Sequence, residues 1–438
     1  MKNKRNIKVF IFISLVLVVV VFGASVPVPT FLKNSYKYLF QDREAYCSKS
    51  LSDYIDDGEF LGPYLLLQGE ATTSISINWV SLSKNTFRLQ YRQQNSEQWQ
   101  YVDPSNRFLG SSANLVHKAL IKGLKTSSVY EFRIINLEID NEKNIYLFKT
   151  PPGNLNETLT FVSGGDMMEK RELMAETTQI AALSSPAFAV LGGDLAYDNG
   201  EFLNCWFDWI EIWSQNAITP QGLSIPMVIA IGNHEVEGAA LEGGGYGQTP
   251  DKAKYFYSLF LPDIKSNYVV DFSDYMSCIL LDSNHTQRVE LQNRWLESTL
   301  RQRSTIPNKF AVFHVPAYGV LKDGYDNEDS INVRKNWVPI FEKFGLSGAL
   351  EHHHHTYKRS KLIFENTIDP DKGILYIGGG AWGVPSRLLP KDMTPFWCVA
   401  KVESTRHFLR ISLDQKSRTF EAINEKGDVF DRYVDVRY

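Results

Sequence analysis

Hydrophobic and polar residues alternate along the first third of the chain. Between Gly62 and Thr150 this two-residue period defines four short runs, at 74–79, 87–91, 130–134 and 146–150, separated by turn-forming residues. Successive side chains of a β-strand point to opposite faces, so each run predicts a strand with one buried face. Several such strands joined by turns are typical of an all-β sandwich, and Trp79 is predicted to be one of its core residues.

The pattern changes after Pro151-Pro152-Gly153, a combination that ends a strand and predicts a domain boundary. Continuous hydrophobic runs, typical of strands buried on both faces, now cover 159–162, 187–191, 227–231, 278–281 and 310–313. Residues 170–183 and 292–303 predict helices, and alternation returns from Phe408 with a hairpin turn at 425–428. The predicted organisation is a linker at 27–60, a β-sandwich at 61–152 and an α/β domain at 153–438.

The first 26 residues combine positive charge with hydrophobicity. Four cations among the first eight residues precede a hydrophobic run from Val9 to Phe22. This order predicts an export signal, which places the protein outside the cytoplasm. Small residues at 23–25 would allow cleavage, whereas a run continued to Val26 has 18 residues and is only just long enough to span a bilayer. Secretion and retention by an N-terminal membrane anchor both stay open.

Composition excludes several classes of protein. Of the 438 residues, 43% are hydrophobic and 22% are charged, which excludes a disordered, collagen-like or multi-span membrane chain. The net charge is −4 and no basic cluster follows the first eight residues, so no nucleic-acid-binding surface is predicted. The sequence contains no Cys-x-x-Cys pair, so a zinc ribbon is not predicted. The four cysteines can form two disulfides in three different pairings, or they can remain buried thiols. They are Cys47, Cys205, Cys278 and Cys398.

Polar side chains that can bind metals follow the ends of the hydrophobic runs. Six of the nine histidines lie at such positions. The carboxyl ends of strands are where α/β proteins assemble their sites, so we expect these residues to converge. Residues i and i+2 share a face of an extended chain, which leaves His353/His355 and His352/His354 as alternative pairs. The full set is Asp166, Asp194, Tyr197, Asn233, His234, His314 and His352–His355.

Five sequence blocks together resemble the calcineurin-like metallophosphoesterases. The blocks are Gly165-Asp166, Gly193-Asp194-Leu-Ala-Tyr197, Gly232-Asn233-His234-Glu235, His314 and His353-His354-His355. The tyrosine in the second block makes the chain similar to purple acid phosphatases in particular. The preceding β-rich segment resembles the fibronectin-III-like N-terminal domain of those enzymes. The resemblance covers about residues 61–438 and implies two mixed β-sheets flanked by helices, preceded by a fibronectin-III/immunoglobulin-like sandwich.

The resemblance also implies a centre of two metal ions. A bridging carboxylate is needed between such ions, and Asp194 is expected to provide it. Counting back from Tyr357 selects the pair His353/His355. Phenolate, carboxylate and imidazole ligands favour Fe(III) at the first site, whereas mixed oxygen and nitrogen ligands at the second admit Fe(II), Zn(II) or Mn(II). The expected ligands are Asp166, Tyr197 and His355 at the first site and Asn233, His314 and His353 at the second.

The implied reaction is hydrolysis of a phosphomonoester by a metal-bound hydroxide. His234 is expected to bind phosphate or to protonate the leaving oxygen, with a purely structural role as the alternative. Glu235 is expected to orient His234, and His354 to lie near the substrate. The substrate would be a phosphorylated small molecule or a phosphoprotein, and the oligomeric state stays open.

Two departures from the purple acid phosphatase pattern concern the substrate side of the site. Met168 stands where those enzymes usually have glycine, which changes the turn after Asp166. Residues 315–351 contain no histidine, although plant-type enzymes place substrate-facing histidines there. We therefore expect a different phosphate contact, with Lys322, Arg334 and Arg387 as candidates or as ordinary surface charges.

Three other functions remain as alternatives at this stage. A phosphodiesterase acting on nucleotides or lipid headgroups would use the same metal ligands. A surface-binding protein would carry an inert metal site, and metals that only stabilise the fold would give metal content without turnover. The retention of all seven expected ligands favours an enzyme.

Overall fold

The computed structural model describes residues 46–437 except 57, 83, 85, 140–143, 240–243, 262 and 322–324. The predicted export segment, most of the predicted linker and Lys322 therefore lie outside the described residues. Within the described ranges, no helix has both the length and the hydrophobicity needed to cross a bilayer.

Among the described residues, nine short strands form the N-terminal part, and their burial follows the alternation of the sequence. In the eighth strand, for example, every second residue is buried. Trp79 is fully buried, as predicted. The strands are β1 Leu61–Leu66, β2 Gly69–Glu70, β3 Ser74–Ser81, β4 Phe87–Gln93, β5 Gln100–Val102, β6 Ser105–Phe108, β7 Leu115–Lys122, β8 Val129–Asn136 and β9 Tyr146–Lys149.

In the described portion of the α/β part, fifteen further strands follow. Two of them begin and end close to the predicted hydrophobic runs at 159–162 and 310–313. They are β10 Leu159–Gly164, β11 Ala189–Leu191, β12 Met227–Ile229, β13 Tyr268–Phe272, β14 Met276–Leu280, β15 Asn308–Val312, β16 Gly348–Glu351, β17 Tyr357–Ser360, β18 Ile363–Phe364, β19 Thr367–Ile368, β20 Leu375–Gly379, β21 Val399–Glu403, β22 His407–Leu413, β23 Arg418–Asn424 and β24 Val429–Asp435.

The helices confirm both helical predictions to within one residue at each end. Tryptophans on the second helix recur at helical spacing and pack into the core against the sheet. The α-helices are α1 Arg171–Leu183, α2 Leu203–Asn216, α3 Lys254–Phe260, α4 Asn293–Gln302, α5 Glu328–Asn336 and α6 Val338–Lys343. Short 3₁₀ helices cover Leu51–Asp53, Asn233–Glu235, Pro250–Ala253 and Val289–Gln292.

Two large mixed sheets organise the molecule, which confirms the predicted sheets flanked by helices. The first has ten strands in the order β24-β23-β22-β10-β11-β12-β1-β3-β7-β6, and the second has eight in the order β2-β13-β14-β15-β16-β20-β17-β21. One core cluster joins side chains of both sheets, and further clusters pack the helices on the outer faces. A four-stranded sheet, β5-β4-β8-β9, covers the N-terminal strands; whether this layer is a fibronectin-III domain stays a prediction.

The first sheet continues across the predicted boundary near residue 152. Strand β1 pairs in parallel with β12, with Leu66 opposite Met227, and the backbone N–H of Leu67 donates to the carbonyl of Met227 at 2.9 Å. Strand β2 likewise pairs with β13 of the second sheet. The N-terminal strands thus extend the sheets of the α/β part through main-chain hydrogen bonds.

One disulfide joins the segment before β1 to helix α2. It links Cys47 to Cys205, whereas Cys278 and Cys398 are buried thiols. The two partners are 158 residues apart, and the sequence alone does not select this pairing. Stable disulfides of this kind are found in oxidising compartments.

Candidate metal centre

Every expected metal ligand lies just beyond the carboxyl end of a strand in one of the two sheets. Strands β10, β11 and β12 run parallel in the first sheet, and β15 and β16 run parallel in the second. Within each sheet the carboxyl ends of these strands therefore lie at one edge, and the 3.0 Å contact between His314 and Asp194 brings the two edges together. The residues that follow them are Asp166 after β10, Asp194 and Tyr197 after β11, Asn233 after β12, His314 after β15, and His353 and His355 after β16.

The backbone at these positions is unusual. Five of the seven expected ligands have a positive φ, at 57° for Asp166, 54° for Asp194, 53° for Tyr197, 71° for His353 and 50° for His355. A non-glycine residue in this region costs of order 1–3 kcal/mol and persists where its surroundings hold it, most often at functional sites. The turns that follow the strands are thus less stable locally, but their backbone conformation brings the side chains of the expected ligands towards one another.

The first group of ligand atoms contains one oxygen from a carboxylate, one from a phenol and one imidazole nitrogen. Nε2 of His355 lies 3.1 Å from Oδ1 of Asp166 and 3.1 Å from the phenolic oxygen of Tyr197. The phenolic oxygen lies 3.3 Å from the same carboxylate oxygen. Burial, together with Asp166 and Asp194, raises the pKa of Tyr197 far above its usual value when no cation is present.

The second group centres on Nε2 of His314. This nitrogen lies 3.0 Å from Oδ2 of Asp194, 3.1 Å from Oδ1 of Asn233 and 3.1 Å from Nδ1 of His353. The two groups adjoin, because the backbone N–H of His353 donates to Oδ2 of Asp166 at 3.0 Å.

The atoms around Nε2 of His314 are mostly hydrogen-bond acceptors, which a cation can bind but which cannot all bond to one another. Nδ1 of His314 contacts the carbonyl of Gly192 at 2.9 Å, so it carries the proton of the neutral ring and leaves a lone pair on Nε2. That lone pair then faces the oxygen atoms of Asp194 and Asn233. A single proton on Nε2 could satisfy one of these contacts, whereas a metal ion would satisfy all of them.

The negative charge of the carboxylates near His314 favours a proton on its ring. Burial opposes the charged form of His314, but the nearby carboxylates of Asp194 and Asp166 outweigh it and raise the pKa of His314 to about 9. Burial likewise opposes ionisation of Asp194, yet His314 and His234 hold the pKa of this carboxyl well below its usual range. The carboxylates thus favour a positive charge beside Nε2 of His314.

His234 lies beside the first group and is held by Asn199. Its ring stacks on that of Tyr197, with centroids 4.3 Å apart, and its backbone N–H donates to Oδ1 of Asp194 at 2.7 Å. Nδ1 lies 2.6 Å from Oδ1 of Asn199. Since an amide oxygen only accepts, Nδ1 carries the proton and Nε2 has the lone pair. Desolvation lowers the pKa of His234 to about 4.

Glu235 supports the site through the backbone rather than through His234. Its buried carboxylate accepts hydrogen bonds from the backbone N–H groups of Gly232, Asp194 and Leu195 at 2.6–2.8 Å. The carboxylate therefore fastens the loop after β11 to the loop after β12. Glu235 was expected to orient the ring of His234. In the structure, Asn199 contacts this ring instead.

The remaining candidates differ in their placement. Arg387 is exposed, and its backbone N–H donates to the carbonyl of His355 at 3.0 Å. Its charge acts on Tyr197, Tyr246 and His353, which places it at the mouth of the site. His354 is buried; its Nδ1 accepts from the backbone N–H of Val320 at 3.4 Å, and its ring lies 5.7 Å from that of His353. The guanidinium of Arg334 instead donates to backbone carbonyls of the chain, those of Ala317 and Tyr325.

Tyr246 was not identified from the sequence. Its phenolic oxygen lies 3.4 Å from Nε2 of His353, the ring nitrogen opposite the one that faces His314. Its ring packs 5.2 Å from that of His285, whose Nδ1 contacts the carbonyl of Gly245 at 3.1 Å. No motif marks Tyr246, because only the folded loop brings it to His353.

A buried ion pair spans the histidine loop. Lys358 and Glu351 face each other on either side of β20, where both are in register with Gly378. A Cβ atom at Gly378 would lie 3.2 Å from Cε of Lys358, so the absence of a side chain there lets the lysine cross the strand. The pair joins the strands that begin and end the loop carrying His353 and His355.

Comparisons with known proteins agree with this geometry. Residues 151–357 match the calcineurin-like phosphoesterase family. Purple acid phosphatase 23 of Arabidopsis thaliana is 23% identical over 343 residues, which are 70% of this chain and 70% of that protein. An uncharacterised protein of Mycobacterium tuberculosis is 24% identical over 47% of this chain and 44% of its own length. The structure of PhoD shares the fold, with a TM-score of 0.62 at 10% identity over 86% of this chain and 90% of that chain.

Proposed function

We propose that this chain, which contains a calcineurin-like metallophosphoesterase domain and is homologous to purple acid phosphatases, is an exported binuclear-metal phosphatase that hydrolyses phosphomonoesters. The family supports phosphoesterase activity in general. The two metals, the preference for monoesters and the export are our proposal. The observation that carries it is the convergence of seven potential ligands from five strand ends into two adjoining groups.

In this proposal the first group would hold Fe(III), the second would hold Fe(II), Zn(II) or Mn(II), and Asp194 would serve both. Tyr197 supplies the phenolate that favours Fe(III). When bound, the ions supply positive charge for the phosphate oxygens and Lewis-acid activation of water. The lone pairs that crowd around Nε2 of His314 support a cation at the second group.

His234 is the proposed proton donor to the leaving oxygen. Asn199 holds the proton on Nδ1, so Nε2 is the nitrogen that exchanges a proton with the substrate. A phosphate dianion beside the ring would raise the pKa of His234 from about 4 and favour the protonated form. The positive charge of Arg387 at the mouth attracts the anionic substrate.

The first test combines metal analysis with substrate preference in the purified full chain. We expect about two metal ions per chain including iron, a visible tyrosinate–Fe(III) absorption band, and faster hydrolysis of p-nitrophenyl phosphate than of bis-p-nitrophenyl phosphate. Tyr197→Phe and Asp194→Ala should abolish turnover. Tyr64→Phe is the matched control, since it removes a buried hydroxyl that donates to the carbonyl of Leu259.

Other outcomes would replace the proposal with one of its rivals. Two non-iron metals with a preference for the diester would indicate a phosphodiesterase. A folded protein without bound metal, inactive after addition of Fe, Zn or Mn, would indicate a binding protein with an inert site.

The proposed export rests on the basic and hydrophobic N-terminal segment together with the Cys47–Cys205 disulfide. Cell fractionation with determination of the mature N-terminus tests it. Recovery outside the cytoplasm beginning near residue 26 would indicate secretion, and recovery in membranes beginning at Met1 would indicate an anchor. Recovery of the intact, reduced chain in the cytosol would contradict export.

A further inference from the structure

Two Asn-x-Thr triplets occur in the chain, Asn156-Glu-Thr158 and Asn284-His-Thr286. Such a triplet is an acceptor for N-linked glycan when it lies on the surface of an exported protein. The sequence does not distinguish between the two, since both have the required asparagine and hydroxyl residue. Their surroundings in the fold differ.

The first triplet lies on the surface, in the turn that leads into β10. Asn156, Glu157 and Thr158 are all exposed. The side-chain oxygen of Asn156 accepts a hydrogen bond from the amide of Gln415 at 2.7 Å, and its backbone N–H donates to Asn154. These contacts hold the turn, and among the described residues Nδ2 of the exposed Asn156 has no hydrogen-bond partner.

The second triplet packs against the candidate metal centre through its middle residue, His285. Nδ2 of Asn284 donates to Oδ1 of Asp329 at 2.6 Å, and the hydroxyl of the buried Thr286 donates to Asp282 at 2.7 Å. His285 between them packs 5.5 Å from the ring of His314. A sugar on Asn284 would remove the contact with Asp329 and disturb the support of His314.

The position of Asn156 also keeps a glycan clear of the site. Asn156 precedes the amino end of β10, whereas Asp166 follows the carboxyl end of the same strand. Six residues at about 3.3 Å each separate the two ends by about 20 Å. A bulky group on Asn156 therefore stands at the opposite edge of the sheet from the metal ligands.

We propose that Asn156 is a glycosylation site of the exported protein and that Asn284 is not. The inference rests on the export part of the proposed function. Nδ2 of Asn156 forms a bond to the C1 atom of an oligosaccharide carried by a lipid diphosphate. The C1–O bond to the diphosphate breaks, the lipid diphosphate leaves, and the amide nitrogen loses one proton.

The test uses the full chain expressed in a eukaryotic cell, compared with a version carrying an established cleavable export signal ahead of Met1. Material recovered outside the cytosol is digested with peptide-N-glycosidase in ¹⁸O-labelled water, and its mass is measured. We expect the loss of one glycan and an ¹⁸O-labelled aspartate at position 156. Asn156→Gln and Thr158→Ala should abolish this change, whereas Asn284→Gln should retain it.

Each result has one interpretation. A glycan that persists in Asn156→Gln, a labelled residue at 284, or exported wild-type protein without any glycan would overturn the inference. A glycan only on the version with the added signal would support the site but contradict export by the natural N-terminus. The Asn156→Gln variant should hydrolyse p-nitrophenyl phosphate as fast as the wild type, because the site lies at the other end of β10.

Discussion

Asn199 and His234 hold each other in place: the side-chain oxygen of Asn199 lies 2.6 Å from Nδ1 of His234, and the backbone N–H of Asn199 donates to the carbonyl of His234 at 2.9 Å. The amide orients the imidazole without giving it a charged partner. The orientation and the acidity of His234 can therefore be changed separately.

Replacing Asn199 with aspartate should change the acidity of His234. A carboxylate at this distance favours the protonated ring and raises its pKa by about 1–3 units, so that the protonated donor persists to higher pH. We expect the basic limb of the kcat–pH profile to move upwards by about one unit or more. Asn199→Leu is the matched control, which should lower kcat about 10-fold or more without moving the limb. An unchanged profile in Asn199→Asp would exclude His234 as the proton donor.

Removing the hydroxyl of Tyr246 should weaken metal retention. The phenolic oxygen contacts Nε2 of His353 and so directs Nδ1 towards His314. Loss of such a supporting hydrogen bond typically lowers metal affinity about 10- to 100-fold. Dialysis of Tyr246→Phe against a graded chelator, followed by elemental analysis, should show early loss of one metal and retention of the other. Equal retention of both metals in Tyr246→Phe and Tyr64→Phe would show that Tyr246 does not position His353.

Removal of one partner from the Glu351–Lys358 pair should destabilise the fold strongly. Lys358→Met leaves the carboxylate of Glu351 buried without its partner, which costs about 3–5 kcal/mol of unfolding free energy. The double variant Glu351→Gln with Lys358→Met should recover most of this loss, since neither charge remains. Urea unfolding of the three proteins measures the difference. If the single and double variants were equally destabilised, packing around Gly378 rather than the ion pair would be responsible.

His117 on β7 should make the N-terminal strands sensitive to acid. Nδ1 contacts Oδ1 of Asn106 at 2.8 Å, Nε2 contacts the hydroxyl of Ser81 at 2.7 Å, and burial lowers the pKa of His117 to about 4. The neutral ring is thus favoured in the fold. Its contribution is complete above pH 6.5, the pKa of an exposed histidine, and is lost as the pH falls to about 4.

The expected loss over this range is about 3 kcal/mol, at 1.36 kcal/mol per pKa unit. Urea unfolding of wild type and His117→Gln between pH 7.5 and 4 measures it. The variant should be less stable at neutral pH but should lose less stability on acidification. Parallel pH curves for the two proteins would contradict the prediction.

The sequence predicted most of what depends on local pattern. Strand β8 and helix α1 follow the periods of two and 3.6 residues, because burial of one face determines both. The structure also places the expected ligands that follow the buried strands in two adjoining groups. Asp166 and Asp194 lie at one edge because they follow the neighbouring parallel strands β10 and β11, and His314 and His353 do so after β15 and β16.

Contacts that depend on distant residues were not predicted. The pairing of β1 with β12 joins residues more than 150 positions apart, and neither strand contains a signal that names its partner. The roles of Asn199 and Tyr246 depend on loop conformations, in which a displacement of about one ångström would remove a hydrogen bond. Roles assigned through the family resemblance alone, such as the bridging function of Asp194, stay predictions.

The pairing of β1 with β12 also affects solubility. Without the N-terminal strands, Met227–Ile229 would form the exposed border of a sheet, with free backbone donors and acceptors beside fully buried hydrophobic side chains. Such borders recruit other chains into intermolecular sheets. By covering this edge, the N-terminal strands therefore protect the α/β part of the same chain against aggregation.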